Sequence, residues 1–286
     1  MIIRNVPHAL EEKNRSKVFA GSLLASLGGG LVIFLGLLML ALLGIPLILS
    51  LLVSFTPSDI IEVPSPGNWS LRWYSRFFSD QIWQVGAVNS AIIALLTTII
   101  ALLVGTTAAL AFERYDFPAK KALNIFILLP LFVPPVVLGM QSLAWHQRIG
   151  LWGSPLSLAV AHSLWAIPLA FTVMRASFKN VDRRLEEAAR GLGASPLLVF
   201  WKITLPLVWP GLLVAAFFAF IISINEFVMS LFLATPRVQT ISTLIYPQLN
   251  YNLSPLVAAA SAVMLVITVV GLVVSVRLLQ IRKISI

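Results

Sequence analysis

Apolar residues along this chain gather in six runs, each long enough to cross a hydrocarbon layer of about 30 Å as a helix of roughly 20 residues. The runs cover residues 28–54, 86–112, 122–142, 155–174, 209–233 and 256–276. The pattern predicts an all-α, polytopic membrane protein with six transmembrane helices. Several runs contain proline or glycine, which a bundle tolerates where neighbouring helices or a water-lined cavity satisfy the freed backbone. The third, with Pro130, Pro134 and Pro135, is the most interrupted. The fourth is the most diluted, by Pro155, His162 and Pro168. Residues 1–27 then form an N-terminal segment, 175–208 a long polar loop and 277–286 a tail. The N-terminal segment is polar and basic, and the first apolar run exceeds the 7–15 residues, roughly, of a secretory signal core, so it is expected to stay as an anchor.

Composition agrees with the pattern. Of 286 residues, 59% are hydrophobic and 11% charged, and the mean hydropathy is +0.95. That is too little charge to cover a soluble domain of this length. Cysteine is absent, which excludes disulfides, thiol catalysis and thiolate metal sites. A net charge of +9 invites thoughts of nucleic acid, but its distribution tells another story. Of the 20 Lys and Arg residues, only Arg72, Arg76, Arg148 and Arg237 fall on one side of the six runs; all the others fall on the opposite side. The positive-inside rule therefore places both termini and the 175–208 loop in the cytoplasm. The partner implied by the charge is a lipid bilayer, with no nucleic acid. On the outer side, residues 56–84 carry Trp69, Trp73, Tyr74, Phe77, Phe78 and Trp83. They read as an interfacial belt or a short surface helix, and alternatively as a contact for a soluble partner.

The long loop has the clearest local chemistry. Asp182 is placed to cap a short helix, and Glu186 and Glu187 sit in its favourable first half. Gly191 and Gly193 end it, and Ser195-Pro196 starts another helix, expected at 196–204, with serine as cap and proline at the first position. Leu197, Leu198, Phe200, Trp201 and Ile203 should lay this second helix against the membrane, and Pro206 and Pro210 lead into the fifth span. The first helix presents Ala188 and Ala189, small enough for another protein's groove to approach closely, beside Glu187, which can bond a basic group there. The same features also suit an ordinary amphipathic connector.

Residues 187–206 read Glu187-Ala188-Ala189, then Gly193, Ile203 and Leu205-Pro206. This resembles the EAA signature of ABC importer permeases of type I fold. The resemblance implies that the helix of Glu187, Ala188, Ala189 and Gly193 couples to a cleft in a separate ATP-binding subunit, with Ile203, Leu205 and Pro206 completing the motif. Three further stretches are similar to spermidine/putrescine permeases of the PotC type: Asn68-Trp-Ser-Leu-Arg-Trp-Tyr74, Ser223-Ile-Asn-Glu-Phe-Val228 and Ser254-Pro-Leu-Val-Ala-Ala-Ala-Ser261. Such relatives commonly carry an acid one position before Glu226. Here Asn225 stands there, leaving one fewer countercharge for a polycation.

Glu226 is the ionisable residue placed well inside an expected span, about four residues, or roughly 6 Å, outward of its centre. A charge at that depth costs about 2.5–3.5 kcal/mol on insertion scales and should face a cavity or the bundle interior. With Asn225 it can meet a solute ammonium, or it can serve a structural partner. Trp145, His146 and Tyr246 can stack on a solute or anchor the interface. His8 and His162 have no metal-ligand spacing around them. Gly28-Gly29-Gly30 lacks the Lys-Ser/Thr of a phosphate loop, and Asn68-Trp-Ser70 matches a glycosylation acceptor by chance in a bacterial chain.

No nucleotide-binding motif and no metalloprotease or serine-hydrolase motif occurs, so this chain is expected to be a transport subunit rather than an enzyme, with no cofactor of its own. ATP and Mg would belong to two ATP-binding subunits. A second permease (PotB-like by the resemblance) and a periplasmic solute-binding protein complete the expected importer in the bacterial inner membrane. The expected cargo is a small cationic solute of polyamine type, or another small solute such as an opine, an amino-acid derivative or a phosphonate. An ion-coupled secondary transporter is the rival, but its inverted repeats are not evident. One buried carboxylate makes no catalytic constellation for a membrane enzyme.

Overall fold

The computed structural model describes residues 7–251 and 254–281, with side chains described for 29–250 and 254–277. The chain divides into two compact units, residues 1–52 and 53–286. The first is helix α1 (Pro7–Val53), 47 residues long. Its stretch Gly29–Val53 is long and apolar enough to cross a membrane, and Leu31, Phe34, Leu38, Leu42 and Ile45 are all exposed. A helix apolar all round has lipid as its natural solvent. The expected N-terminal segment is thus helical from Pro7 onward.

The second unit runs from Val53. Helix α2 (Arg72–Ser79) buries Trp73 and Phe77, which pack with Trp83, Ile224, Ile241, Leu256 and Met264. Asp80 then caps α3 (Gln81–Arg114), its Oδ1 accepting from the Ile82 amide at 2.8 Å. α3 runs 34 residues and packs most extensively on α6 (Pro155–Lys179). Their interface is built of small residues: Ala101, Gly105 and Ala109 of α3 against Ala166 and Ala170 of α6. A Cβ on Gly105 would lie 2.9 Å from the Ala170 Cβ and from the Phe171 nitrogen. Such close backbone approach is how helices associate where lipid removes the hydrophobic drive between them.

Three spans add detail that the sequence pattern did not supply. Between α3 and α6, α4 (Lys120–Leu128) and a 3-10 turn (Leu129–Phe132) give way to α5 (Pro135–Arg148). The two halves meet at 101°, so this segment is a broken span or a re-entrant loop. Val133 and Pro134 both precede a proline and are extended (ψ 130° and 135°), as the Pro ring demands of its predecessor. The carbonyl of Pro130 at the break accepts from Trp165 Nε1 at 3.0 Å.

The run that looked most diluted, α6, has the largest buried share of the candidate spans. Pro155 starts it, with Ser154 as cap, and Ser157, His162, Ser163 and Ser177 are buried in the bundle.

The fifth run also shifts. α8 (Pro196–Val199) passes through a π turn (Phe200–Thr204) directly into α9 (Leu205–Asn225). No separate surface helix precedes the span; one helical segment runs Pro196–Asn225. The Leu205 amide reaches back to the Phe200 carbonyl, opening the ladder just before Pro206, whose ring would clash with the regular register. The helix then stops at Asn225, Glu226 is extended, and α10 (Val228–Leu233) resumes. Glu226 therefore lies at a break, not four residues from the middle of a continuous helix. α11 (Ile241–Tyr251) and α12 (Pro255–Ile281) complete the unit. Arg175–Lys179 belong to α6, so the connector carrying helix α7 (Arg183–Gly191) is confined to residues 180–195.

Candidate functional site

The connector builds α7 from strong end signals. Asp182 Oδ1 accepts from the Arg184 amide at 3.0 Å. At the other end Gly193 takes φ +89°, its amide donates to the Arg190 carbonyl at 2.9 Å, and the Ala194 amide donates to Ala189 at 3.0 Å. This pair of bonds is a Schellman motif with Gly193 at the left-handed position; Gly191 is the last helical residue. Ser195 Oγ accepts from the Leu198 amide at 3.3 Å and Pro196 opens α8.

On α7, Glu187, Ala188 and Arg190 are exposed and Ala189 is half-buried. Leu192, just past the helix, is 90% exposed. An outward face of one acid and two small residues is available to a partner. Ile203 and Leu205 are half-buried and Pro206 is exposed at the π turn, so the second half of the motif forms the base from which α9 rises.

Glu186, given no role beyond its place near the helix start, is buried. Its carboxylate receives Arg114 Nε (3.1 and 2.9 Å to the two oxygens) and Nη2 (2.8 Å), and Thr204 Oγ1 donates to Oε1 at 2.8 Å. Arg114 Nη1 also donates to the Phe178 carbonyl at 3.3 Å. The signal in the sequence was Arg114 closing a long apolar run, where a desolvated guanidinium needs a carboxylate. Nothing local chose among Glu113, Glu186 and Glu187.

The second cluster surrounds the break at Glu226. The Glu226 carboxylate accepts from the Met229 amide at 2.8 Å, capping α10. Asn225 Nδ2 donates to the Ile221 carbonyl (2.9 Å) and to Thr268 Oγ1 of α12 (3.1 Å). Tyr246 packs its ring on Phe227 with centroids 5.4 Å apart. Trp145 stands apart on α5, 60% exposed, while its neighbour His146 is buried on Ser157 Oγ at 2.8 Å.

The residue missed here is His162. It is fully buried, with Nδ1 2.9 Å from Ser223 Oγ and Nε2 2.9 Å from Ser230 Oγ. Ser223 donates to Thr97 Oγ1 (3.0 Å), Thr97 to the Ala159 carbonyl (3.3 Å), and Ser230 to the Glu226 carbonyl (2.9 Å). One imidazole thus ties α3, α6, α9 and α10 together across the break. Among the described residues, no three His, Cys, Asp or Glu side chains gather as a metal site.

A bundle of membrane-length helices, two of them interrupted, with a capped helix offered outside it, fits a membrane permease. Residues 101–281 match the family model of the binding-protein-dependent transport system inner membrane component, and the chain belongs to that family. It is 29% identical to the putrescine transport system permease protein PotI of Escherichia coli (strain K12), over 80% of this chain and 82% of that protein. It is 27% identical to the spermidine/putrescine transport system permease protein PotC of the same strain, over 82% and 88%. The fold is shared with a chain of a bacterial alginate ABC transporter solved in complex with an alginate pentasaccharide-bound periplasmic protein. The TM-score is 0.63 at 17% identity, over 94% of each chain.

Proposed function

We propose that this chain is the permease subunit of an ATP-driven, binding-protein-dependent importer that moves a small cationic solute of polyamine type across the bacterial inner membrane by alternating access. The observation that carries this reading is α7: capped at both ends, with Glu187 and Ala188 exposed and Ala189 half-buried, in a chain of the permease family. Two ATP-binding subunits, holding ATP and Mg, would draw together on nucleotide binding and carry α7 and its counterpart with them. The counterpart belongs to a second, PotB-like permease, which supplies the other half of the pathway. A periplasmic binding protein delivers the solute. The charge asymmetry supports cytoplasmic termini and a cytoplasmic connector.

The test is Gly193→Val in the reconstituted transporter. Gly193 has open space around it, so the substitution acts through its backbone conformation, at a cost of about 1–3 kcal/mol. The complex should still insert, while uptake falls and ATP hydrolysis no longer tracks it. Normal uptake by this variant counts against the docking role, and ATP hydrolysis by the purified chain alone counts against the division of labour.

A second cargo has one observation in its favour. Asn225 and Glu226, the polar pair suited to an ammonium, are both engaged within the protein. An importer for a different small solute fits that engagement. Binding assays on the cognate periplasmic protein, with putrescine and spermidine against uncharged solutes, decide between the two.

A further inference from the structure

The two adjacent acids of α7 face in different directions, and only one of them faces out. Successive residues on a helix are about 100° apart, which lets Glu186 turn inward while Glu187 stays exposed. There its carboxylate meets groups from two other elements, and a third is joined to it through Arg114. Arg114 brings the last turn of α3 and engages both oxygens through Nε and Nη2 at 2.8–3.1 Å. That guanidinium also holds the Phe178 carbonyl in the last turn of α6. Thr204, carried by the π turn, fills a remaining lone pair at 2.8 Å. Both charged side chains are under 10% exposed. Arg183 adds a bond to the Glu113 carbonyl on the same end of α3.

A helix of nine residues cannot hold its own orientation in water. The tilt of α7 must come from these contacts, and a forked, charge-assisted pair fixes direction as well as distance. The π turn matters here as well. Its extra residue rotates the face of the helix by about 100°, which sets where Thr204 points.

We propose that Glu186 is the positioning residue for force transmission. Through Arg114 and Thr204 it makes α7 move as one body with the adjoining ends of α3 and α9, while the exposed Glu187 face receives the partner. The proposal deepens the docking role of α7 and rests on it only for the transport consequence.

The chain has no cysteine, so two introduced cysteines give it two unique labels. Spin labels at Arg184→Cys on α7 and Leu95→Cys on α3, both exposed positions, span about 29 Å of α3 plus the connector. In the complete transporter, with partner cysteines replaced, pulsed spin resonance should give one narrow distance, the same with and without ATP. Adding Glu186→Gln should broaden that distance and make it change with ATP. Solute taken up per ATP hydrolysed should then fall on the order of tenfold. The paired exchange Glu186→Arg with Arg114→Glu should restore the narrow distance.

A narrow, ATP-independent distance with Glu186→Gln, at unchanged coupling, overturns the proposal. If the glutamine variant does not assemble, Arg114→Lys keeps the charge but loses the fork, and the same two readings apply. A rigid distance in a complex that shows no ATP-dependent uptake would instead sink the transport reading and leave the strut standing.

Discussion

Two of the buried polar networks among the described residues are made from different chemistry. At the connector, Arg114, Glu186 and Thr204 form a charged network. Around the break at Glu226, the network runs Thr97–Ser223–His162–Ser230 and ends on backbone carbonyls, with no ion pair. Both networks bridge an interruption in helical structure, the π turn in one case and the non-helical Glu226–Phe227 in the other. The location explains the difference. A desolvated ion pair is tolerable near the ends of helices, where water and headgroups lie close, but expensive in the middle of an apolar bundle. Hydroxyls, an imidazole and backbone carbonyls share hydrogen bonds there without a salt bridge. Glu226, the one carboxylate at the inner network, rests on a backbone amide rather than on a basic side chain.

The comparison is open to attack at both ends. The largest expected effect is Arg114→Ala, which strands a buried carboxylate and should lower stability by about 3–5 kcal/mol, seen as a drop in the thermal midpoint of the purified complex. His162→Ala comes next. It removes the partner of two buried hydroxyls and leaves a void, for about 3 kcal/mol. If it proved harmless while Arg114→Ala was severe, the inner network would be an incidental contact rather than a clamp across the break. Glu226→Gln is the mildest for stability, about 1 kcal/mol or less, because an amide oxygen can still cap α10. Uptake of a cationic solute by this variant should nonetheless fall by more than assembly does. Unchanged uptake would assign Glu226 to structure alone.

Much of this was legible along the chain. The caps of α7 and α8 are local chemistry: Asp182 to the Arg184 amide, Gly193 in the left-handed conformation and Ser195 before Pro196 all involve residues within a few positions of one another. The three prolines of the third run announced a break, though not its angle of 101°. Proline also misled. Pro206 suggested a boundary, yet a π turn absorbed it and the helix continued. His162 counted against its run, because hydropathy scores a polar residue without asking what it faces. In the bundle it faces Ser223 and Ser230, 61 and 68 positions away.

The sequence alone determined that the chain is a polytopic, all-helical membrane protein with a capped, small-faced helix between two spans. Those properties follow from hydropathy, charge asymmetry and turn chemistry, which act over a few residues. Tertiary structure decided which of two neighbouring acids is buried, which helix ends that acid joins, and that Glu226 sits on an amide at a break. These outcomes depend on contacts between residues as far apart as Arg114 and Glu186, and no pattern within one helix records what another helix will bring against it.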